Sequence, residues 1–386
     1  MTHPVLPPET KDYIAPLNGI RIFLTLMVVL SNMVLWPDVD PGFVQKTDWF
    51  FLKIFANVPI RVDIFFMLTG FLLFYVYRKE FTKHITFNSY VKFLVIRIAR
   101  IYPVHLLPLA IILIFFLLNI WQSIGHISAE RVSQEGNWLL NLLMINAWGL
   151  SNQNASWNGP AWSISIELFN YLIFPIVALV MIRFQKLWQN IALLFGLLLF
   201  YQYLQFFVIR DIGAYIGTKA IARGVIGMSL GIILAQIYIS GKLSHWKWDY
   251  ITLLLIAFMG MIATSKTLYD FPQNYLFYVP LPFLVFAIAS SKTFIKAIFS
   301  LPFLMYLGNL SFGVYMLHQP VSRLFYHLFN DYYTTLNPDY DGLIISLNLI
   351  AIIVTIIVLS AGIYKYIETP IRIWMKNKAK NKFDGA

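Results

Sequence analysis

The sequence contains no cysteine. Disulfides, zinc–thiolate sites, iron–sulfur clusters and a cysteine nucleophile are therefore excluded. Charge is scarce as well: 12% of the 386 residues are Asp, Glu, Lys or Arg, against 59% hydrophobic, a balance foreign to soluble domains. The chain has no glycine-rich dinucleotide fingerprint, no P-loop, no His/Asp/Glu spacing suited to a metal and no Gly-Xaa-Ser-Xaa-Gly elbow. The corresponding nucleotide, metal and serine-hydrolase readings lose their support. There is no repeat of fixed period and no low-complexity tract, so an inverted-repeat transporter has no positive signal.

What is abundant is apolar length. Apolar runs of about 20 residues recur from Leu17 to Tyr366 with short polar breaks, each long enough to cross roughly 30 Å of hydrocarbon as a helix. The expected fold is all-α, a polytopic transmembrane helical bundle of about ten spans, near residues 17–36, 57–77, 101–121, 162–182, 190–208, 214–239, 249–264, 275–290, 301–326 and 343–366. The apolar segment Asn137 to Leu150 is short, which suits an interfacial or re-entrant piece better than an eleventh span. About two thirds of the 29 Lys and Arg fall on one side of this arrangement, above all between Arg78 and Arg100 and between Lys365 and Lys382. That side is expected to be cytoplasmic, with both termini on it. The formal charge of +11 then reflects topology, and no nucleic-acid partner is expected. Arg21 lies within the first apolar run and no small-Xaa-small site follows, so the run reads as a retained helix. The organisation expected is a cytoplasmic N-terminal segment 1–16, a membrane domain 17–366 and a basic cytoplasmic tail 367–386 resting on anionic lipid.

An ionisable residue inside a span costs about 2.5–3.5 kcal/mol, so each is a functional candidate: Arg21, Asp63, Glu167, Arg223, His318 and Arg323. Arg21 and Asn32 are eleven residues apart on the first helix, which returns them to within roughly 20° of one face and separates them by about 16 Å. Arg97 and Arg100, in the stretch that continues through Tyr102, share a face and present two planar forks suited to phosphate; ordinary positive-inside anchoring is the plainer reading. In the block from Asn158 to Glu167, Trp162 suits an interface, while Glu167 sits about 7 Å deeper and needs a partner. An ion pair with Arg323 or Arg223 is the structural alternative to a functional role. A lone intramembrane histidine such as His318 serves more often as a helix-to-helix hydrogen bonder than as a base. Asp63 can cap its own helix, and Gly227 with Gly231 reads as helix packing. Trp36, Trp49, Trp138, Trp148 and Trp157 suit either an interfacial belt or stacking on sugar rings.

Taken in order, these features resemble the acyltransferase-3 family of bacterial integral-membrane acyltransferases over nearly the whole chain. Leu17-Asn18-Gly19-Ile20-Arg21 through Asn32 is similar to the family's Leu-Asp-Gly-Leu-Arg opening, in which the Arg is followed by ten residues and then a His. Val62 to Leu72 is similar to its second-helix signature, Arg97 and Arg100 to its Arg-Xaa-Xaa-Arg motif, and Trp162 to Glu167 to its Trp-Ser-Leu-Ser-Val-Glu block. Leu307 to Pro320 and Glu368 to Arg372 resemble its closing motifs. The resemblance implies O-acyl transfer, usually of acetyl, from cytoplasmic acyl-CoA to a hydroxyl of an extracytoplasmic glycan or lipid-linked saccharide, in the bacterial cytoplasmic membrane and without a metal. By it, Arg21, Arg97, Arg100 and Tyr102 would bind the CoA, and Asp63, Trp162, Ser163 and Ser165 would face the substrates. The general base would stand at position 32, with Glu167 and His318 in reserve. Two positions depart from the pattern: 18 is Asn where the family usually has Asp, and 32 is Asn where it has His. Asn takes no proton at neutral pH, so an inactivated form, or a base elsewhere, is implied. Ending at Ala386, the chain resembles the stand-alone type, which acts on lipopolysaccharide O-antigen, capsule or a similar saccharide. The competing reading is a secondary transporter or glycolipid flippase, which would release no CoA thiol.

Overall fold

A computed structural model describes residues 14–34, 62–81, 85–118, 137–151, 156–209, 216–264, 278–329 and 342–383. Among them there is no strand. Thirteen helices follow one another: α1 (Ala15–Val34), α2 (Asp63–Phe81), α3 (Phe87–Leu117), α4 (Asn137–Leu142), α5 (Ala161–Met181), α6 (Leu187–Tyr203), α7 (Gly217–Ser240), α8 (Trp248–Thr264), α9 (Pro280–Ser290), α10 (Phe294–Phe299), α11 (Pro302–Leu328), α12 (Gly342–Ile363) and α13 (Thr369–Phe383). A π-helical stretch, Leu204–Ile209, extends α6, and another, Tyr364–Glu368, joins α12 to α13. Trp36 and Trp49 lie outside the described residues.

A helix stands at each of the ten expected spans, but among the described residues six stretches are both long and apolar enough to cross a membrane: α1, α3, α5, α6 with its extension, α7, and α12 with its continuation. The shortfall has a physical cause. α2 carries Asp63 and Arg78 and α11 carries His318 and Arg323, which lowers their hydropathy, and α8 and α9 are short. The segment after residue 137 forms the six-residue α4 and a turn. The basic tail is not a loose strand of charge: α13 continues the α12 line and packs along α3, burying Ala379.

The densest pairing in the fold is α2 against α7, and glycine makes it possible. Gly70 on α2 faces the Met228 backbone, and Gly231 on α7 faces the backbone of Met67 and Phe71. A Cβ at either position would overlap main-chain atoms, so the small-Xaa3-small pair Gly227 and Gly231 acts as the packing seam its spacing suggests. α1 lies along α11 in a second close pairing. There the Asn18 amide donates to the Met305 carbonyl at 2.9 Å and to Asn309 Oδ1 at 3.1 Å. An Asp at position 18 would have no N–H for either bond.

α3 holds two prolines, Pro103 and Pro108. Each removes a backbone donor from the helix, which membrane helices accept where neighbouring elements re-satisfy the freed carbonyls. His105, between them and fully buried, bonds through Nε2 to the Asn141 carbonyl at 2.7 Å and thereby fixes α4 to α3. Asn141 in turn accepts the Trp157 N–H at 3.1 Å.

Candidate functional site

The helices surround a cavity between α1, α2, α3, α5 and α11. Arg21 and Thr25 come from α1, Thr69 from α2, Arg97 and Arg100 from α3, Ser163, Glu167 and Tyr171 from α5, and Ser311 and Tyr315 from α11. Phe65, Leu68, Leu72, Ile101, Ile164 and Phe312 supply apolar wall. Three guanidinium groups thus converge from two helices 76 or more residues apart in sequence, as the i,i+3 spacing of Arg97 and Arg100 and the first-helix position of Arg21 require. The Arg97 guanidinium lies over the Tyr77 ring, 4.8 Å from its centroid, with Phe93 at 5.8 Å. Such stacking holds a planar cation in a fixed orientation.

Glu167 forms no ion pair with Arg223 or Arg323 in this arrangement. Its Oε1 accepts from the Thr69 hydroxyl at 2.6 Å, and Tyr171, one helical turn on, also hydrogen-bonds to it. Arg100 and Arg21 act on it through space. The same two arginines act on Glu368, a buried carboxylate in the π-helical joint, which also lies 3.8 Å from Arg372. The closing motif therefore returns to the rim of the arginine cluster. Tyr171 lies outside the motifs quoted above, and Thr69 and Glu368 lie within them without being singled out as site residues. The i,i+4 spacing of Glu167 and Tyr171 is the signal that finds the nearest of them.

Ser163 and Tyr315 meet at one part of the lining. Their hydroxyl oxygens are 2.8 Å apart, and Ser163 Oγ donates to the Pro160 carbonyl at 2.9 Å. Tyr315 then connects to His318: the His318 Nδ1 is 2.5 Å from the Tyr315 carbonyl oxygen. A carbonyl only accepts, so Nδ1 carries the proton and the lone pair of neutral His318 sits on Nε2. That nitrogen faces Asn32 Nδ2 at 3.0 Å. Asn32 and His318 are thus brought together, outside the cavity lining, from helices 286 residues apart.

Other expected site residues have structural partners. Asp63, expected to face substrate, is instead fully buried in a two-point pair with Arg223, Oδ2 to Nη2 at 2.7 Å and Oδ1 to Nε at 3.2 Å. A buried carboxylate requires such a partner. Trp162 lies under the same Arg223, whose guanidinium is 5.0 Å from its ring centroid, so it faces the ion pair and not the cavity. The Ser165 hydroxyl accepts the Ala147 N–H at 3.1 Å and its carbonyl accepts from Trp148 Nε1 at 3.0 Å. Its work is to pin the turn after α4. Tyr102, expected to touch CoA, packs against the core beside His105, because one residue beyond Ile101 turns it off the cavity face. Among the described residues no three His, Asp or Glu side chains group as metal ligands.

A family model described as an acyltransferase domain matches residues 14–365. Acyltransferase MdmB of Streptomyces mycarofaciens is 29% identical over 167 residues, 42% of this chain and 38% of that protein. "Putative O-acetyltransferase SACOL0978" of Staphylococcus aureus (strain COL) is 26% identical over 384 residues, 93% of this chain and 57% of that protein. The chain thus spans about half the length of the curated relatives it matches, or less. No solved structure matches.

Proposed function

Since the chain belongs to the family described as an acyltransferase domain, we propose that it is a membrane O-acyltransferase that moves an acyl group, acetyl in the first instance, from acyl-CoA to a hydroxyl of an extracytoplasmic glycan or lipid-linked saccharide. The observation that carries this reading is the cavity that gathers Arg21, Arg97 and Arg100 around Glu167. Three guanidinium forks suit the phosphates of CoA, and a polar interior with apolar walls suits its pantetheine arm. The donor enters from the cytoplasm, both termini lie on that side, and the membrane is the bacterial cytoplasmic one. The acceptor is of the lipopolysaccharide O-antigen or capsule type and approaches from the other side, toward Asn32 and His318.

In the reaction a base takes the proton of the acceptor hydroxyl. Its oxygen attacks the thioester carbonyl, the carbon–sulfur bond breaks, and the CoA thiolate leaves and is protonated. The carbonyl oxygen gains negative charge on the way. Asn32 holds the position from which a base would act, and an amide accepts no proton there, so this chain turns over slowly or is an inactivated form, with His318 and Glu167 as the remaining bases.

The test is release of CoA thiol by the purified protein given acetyl-CoA and a glycan extract. Release that depends on the extract supports transfer, while acetyl-CoA binding with no release from any acceptor or variant would point to a silent sensor, and absence of binding to a transporter or flippase. Replacing Arg100 by Gln should weaken acetyl-CoA binding about tenfold, the effect of losing one charge-assisted bond, with a shallower dependence on salt. Titration calorimetry at two ionic strengths reads both.

A further inference from the structure

We propose, on the basis of the acyl-transfer reading, that Thr25 is a donor-binding residue: its hydroxyl donates a hydrogen bond to a carbonyl oxygen in the acyl-pantetheine arm of the bound donor. Thr25 lines the cavity one turn beyond Arg21 on α1, is 1% exposed, and its Oγ1 has no hydrogen-bond partner among the described residues. Ser300, Ser360 and Thr369 also carry buried hydroxyls without a partner among the described residues, but none of them lines the cavity. Several helical hydroxyls elsewhere return to a carbonyl four residues back, the usual resting place of Ser and Thr in helices. Thr252 bonds to Trp248 at 2.9 Å, Thr355 to Ala351 at 2.8 Å and Ser322 to His318 at 2.6 Å. The neighbouring hydroxyls of the lining are also engaged: Thr69 with Glu167, Ser163 with Pro160 and Ser311 with Gly308.

A buried hydroxyl left without a partner destabilises the empty protein, and its position on a cavity wall means that a ligand can supply what the fold does not. The chemistry of the missing partner follows from the surroundings. Phosphate belongs with the guanidinium groups, and the cavity that Thr25 lines also has apolar wall, Phe65, Leu68 and Ile164 among it. An uncharged acceptor fits there, and a rotatable hydroxyl pairs well with a carbonyl oxygen. The donor arm offers two kinds, the amide carbonyls of pantetheine and the carbonyl of the thioester.

The experiment uses the full chain in detergent micelles, titrated with acetyl-CoA and with CoA, beside Thr25→Val and Thr25→Ser. Thr25→Val keeps the shape and removes the hydroxyl. It should weaken acetyl-CoA binding by roughly two- to tenfold, the range of one hydrogen bond. The empty protein should melt at the same temperature or higher, because an unsatisfied group has gone. Thr25→Ser should bind like the parent. Loss confined to acetyl-CoA assigns the thioester carbonyl; equal loss with CoA assigns an amide. Unchanged affinity for both ligands overturns the proposal, as does a lower melting temperature of empty Thr25→Val, which would mark Thr25 as a packing residue. A parent protein that binds neither ligand overturns the donor reading itself, a result distinct from a variant that binds as well as its parent.

Discussion

Asn32→His is expected to raise acyl transfer by about 100-fold or more, the lower end of what a positioned general base contributes. The argument rests on the pair at the end of α1. His318 is oriented by the Tyr315 carbonyl so that its basic nitrogen points at position 32, where the Asn32 amide now donates to it. A histidine in that place has one nitrogen to share with His318 and another to offer the acceptor hydroxyl. Asn32→Ala separates the two explanations for any gain. It frees the His318 lone pair but installs no base, so it should stay well below Asn32→His if position 32 is the catalytic one. If Asn32→Ala matches Asn32→His, His318 is the base and Asn32 merely blocks it. The rate of CoA-thiol release with a fixed glycan extract reads all three proteins. An unchanged rate in Asn32→His removes position 32 from the mechanism.

The second large effect is on stability. Arg223→Met should lower it by about 3–5 kcal/mol, because Asp63 is left as a buried charge without its partner. Asp63 has no exposed surface and Arg223 only 2%, so water does not take the partner's place. Tyr201 is within reach of the same carboxylate at 3.4 Å but brings no positive charge. The double variant Asp63→Leu with Arg223→Met should recover most of the loss, since a buried ion pair replaced by well-packed apolar residues is often close to neutral. Thermal unfolding of the detergent-solubilised proteins checks both. A single variant as stable as its parent would mean that the pair contributes little to holding α2 on α7.

Much of the fold is legible in the sequence because apolar length is a local property: each of the ten expected segments carries a helix. Packing is legible where one residue type dictates it, as at Gly231. The arginine side of the cavity is legible for the same reason, since Arg97 and Arg100 share a helical face. Partner choice is another matter. That Arg223 takes Asp63 and leaves Glu167 to Thr69 and Tyr171 depends on how α2, α5 and α7 meet, and no local spacing encodes it. Ser165 and Tyr102 illustrate the same limit from the other side. Motif membership singles them out, yet one turns to the α4 segment and the other to the core. Thr25 lies inside the first-helix stretch without being one of its matched residues, and becomes visible only when the hydroxyl partners are traced one by one.

The Asp63 and Arg223 pair also sets a schedule for making the protein. The two residues are 160 positions apart, and an elongation rate of about 5–20 residues per second places roughly 8–30 s between their syntheses. For that time α2 carries a carboxylate whose partner has not yet been translated. The helix α7, which supplies both the guanidinium and the glycine seam, is therefore the element whose synthesis completes this pairing with α2.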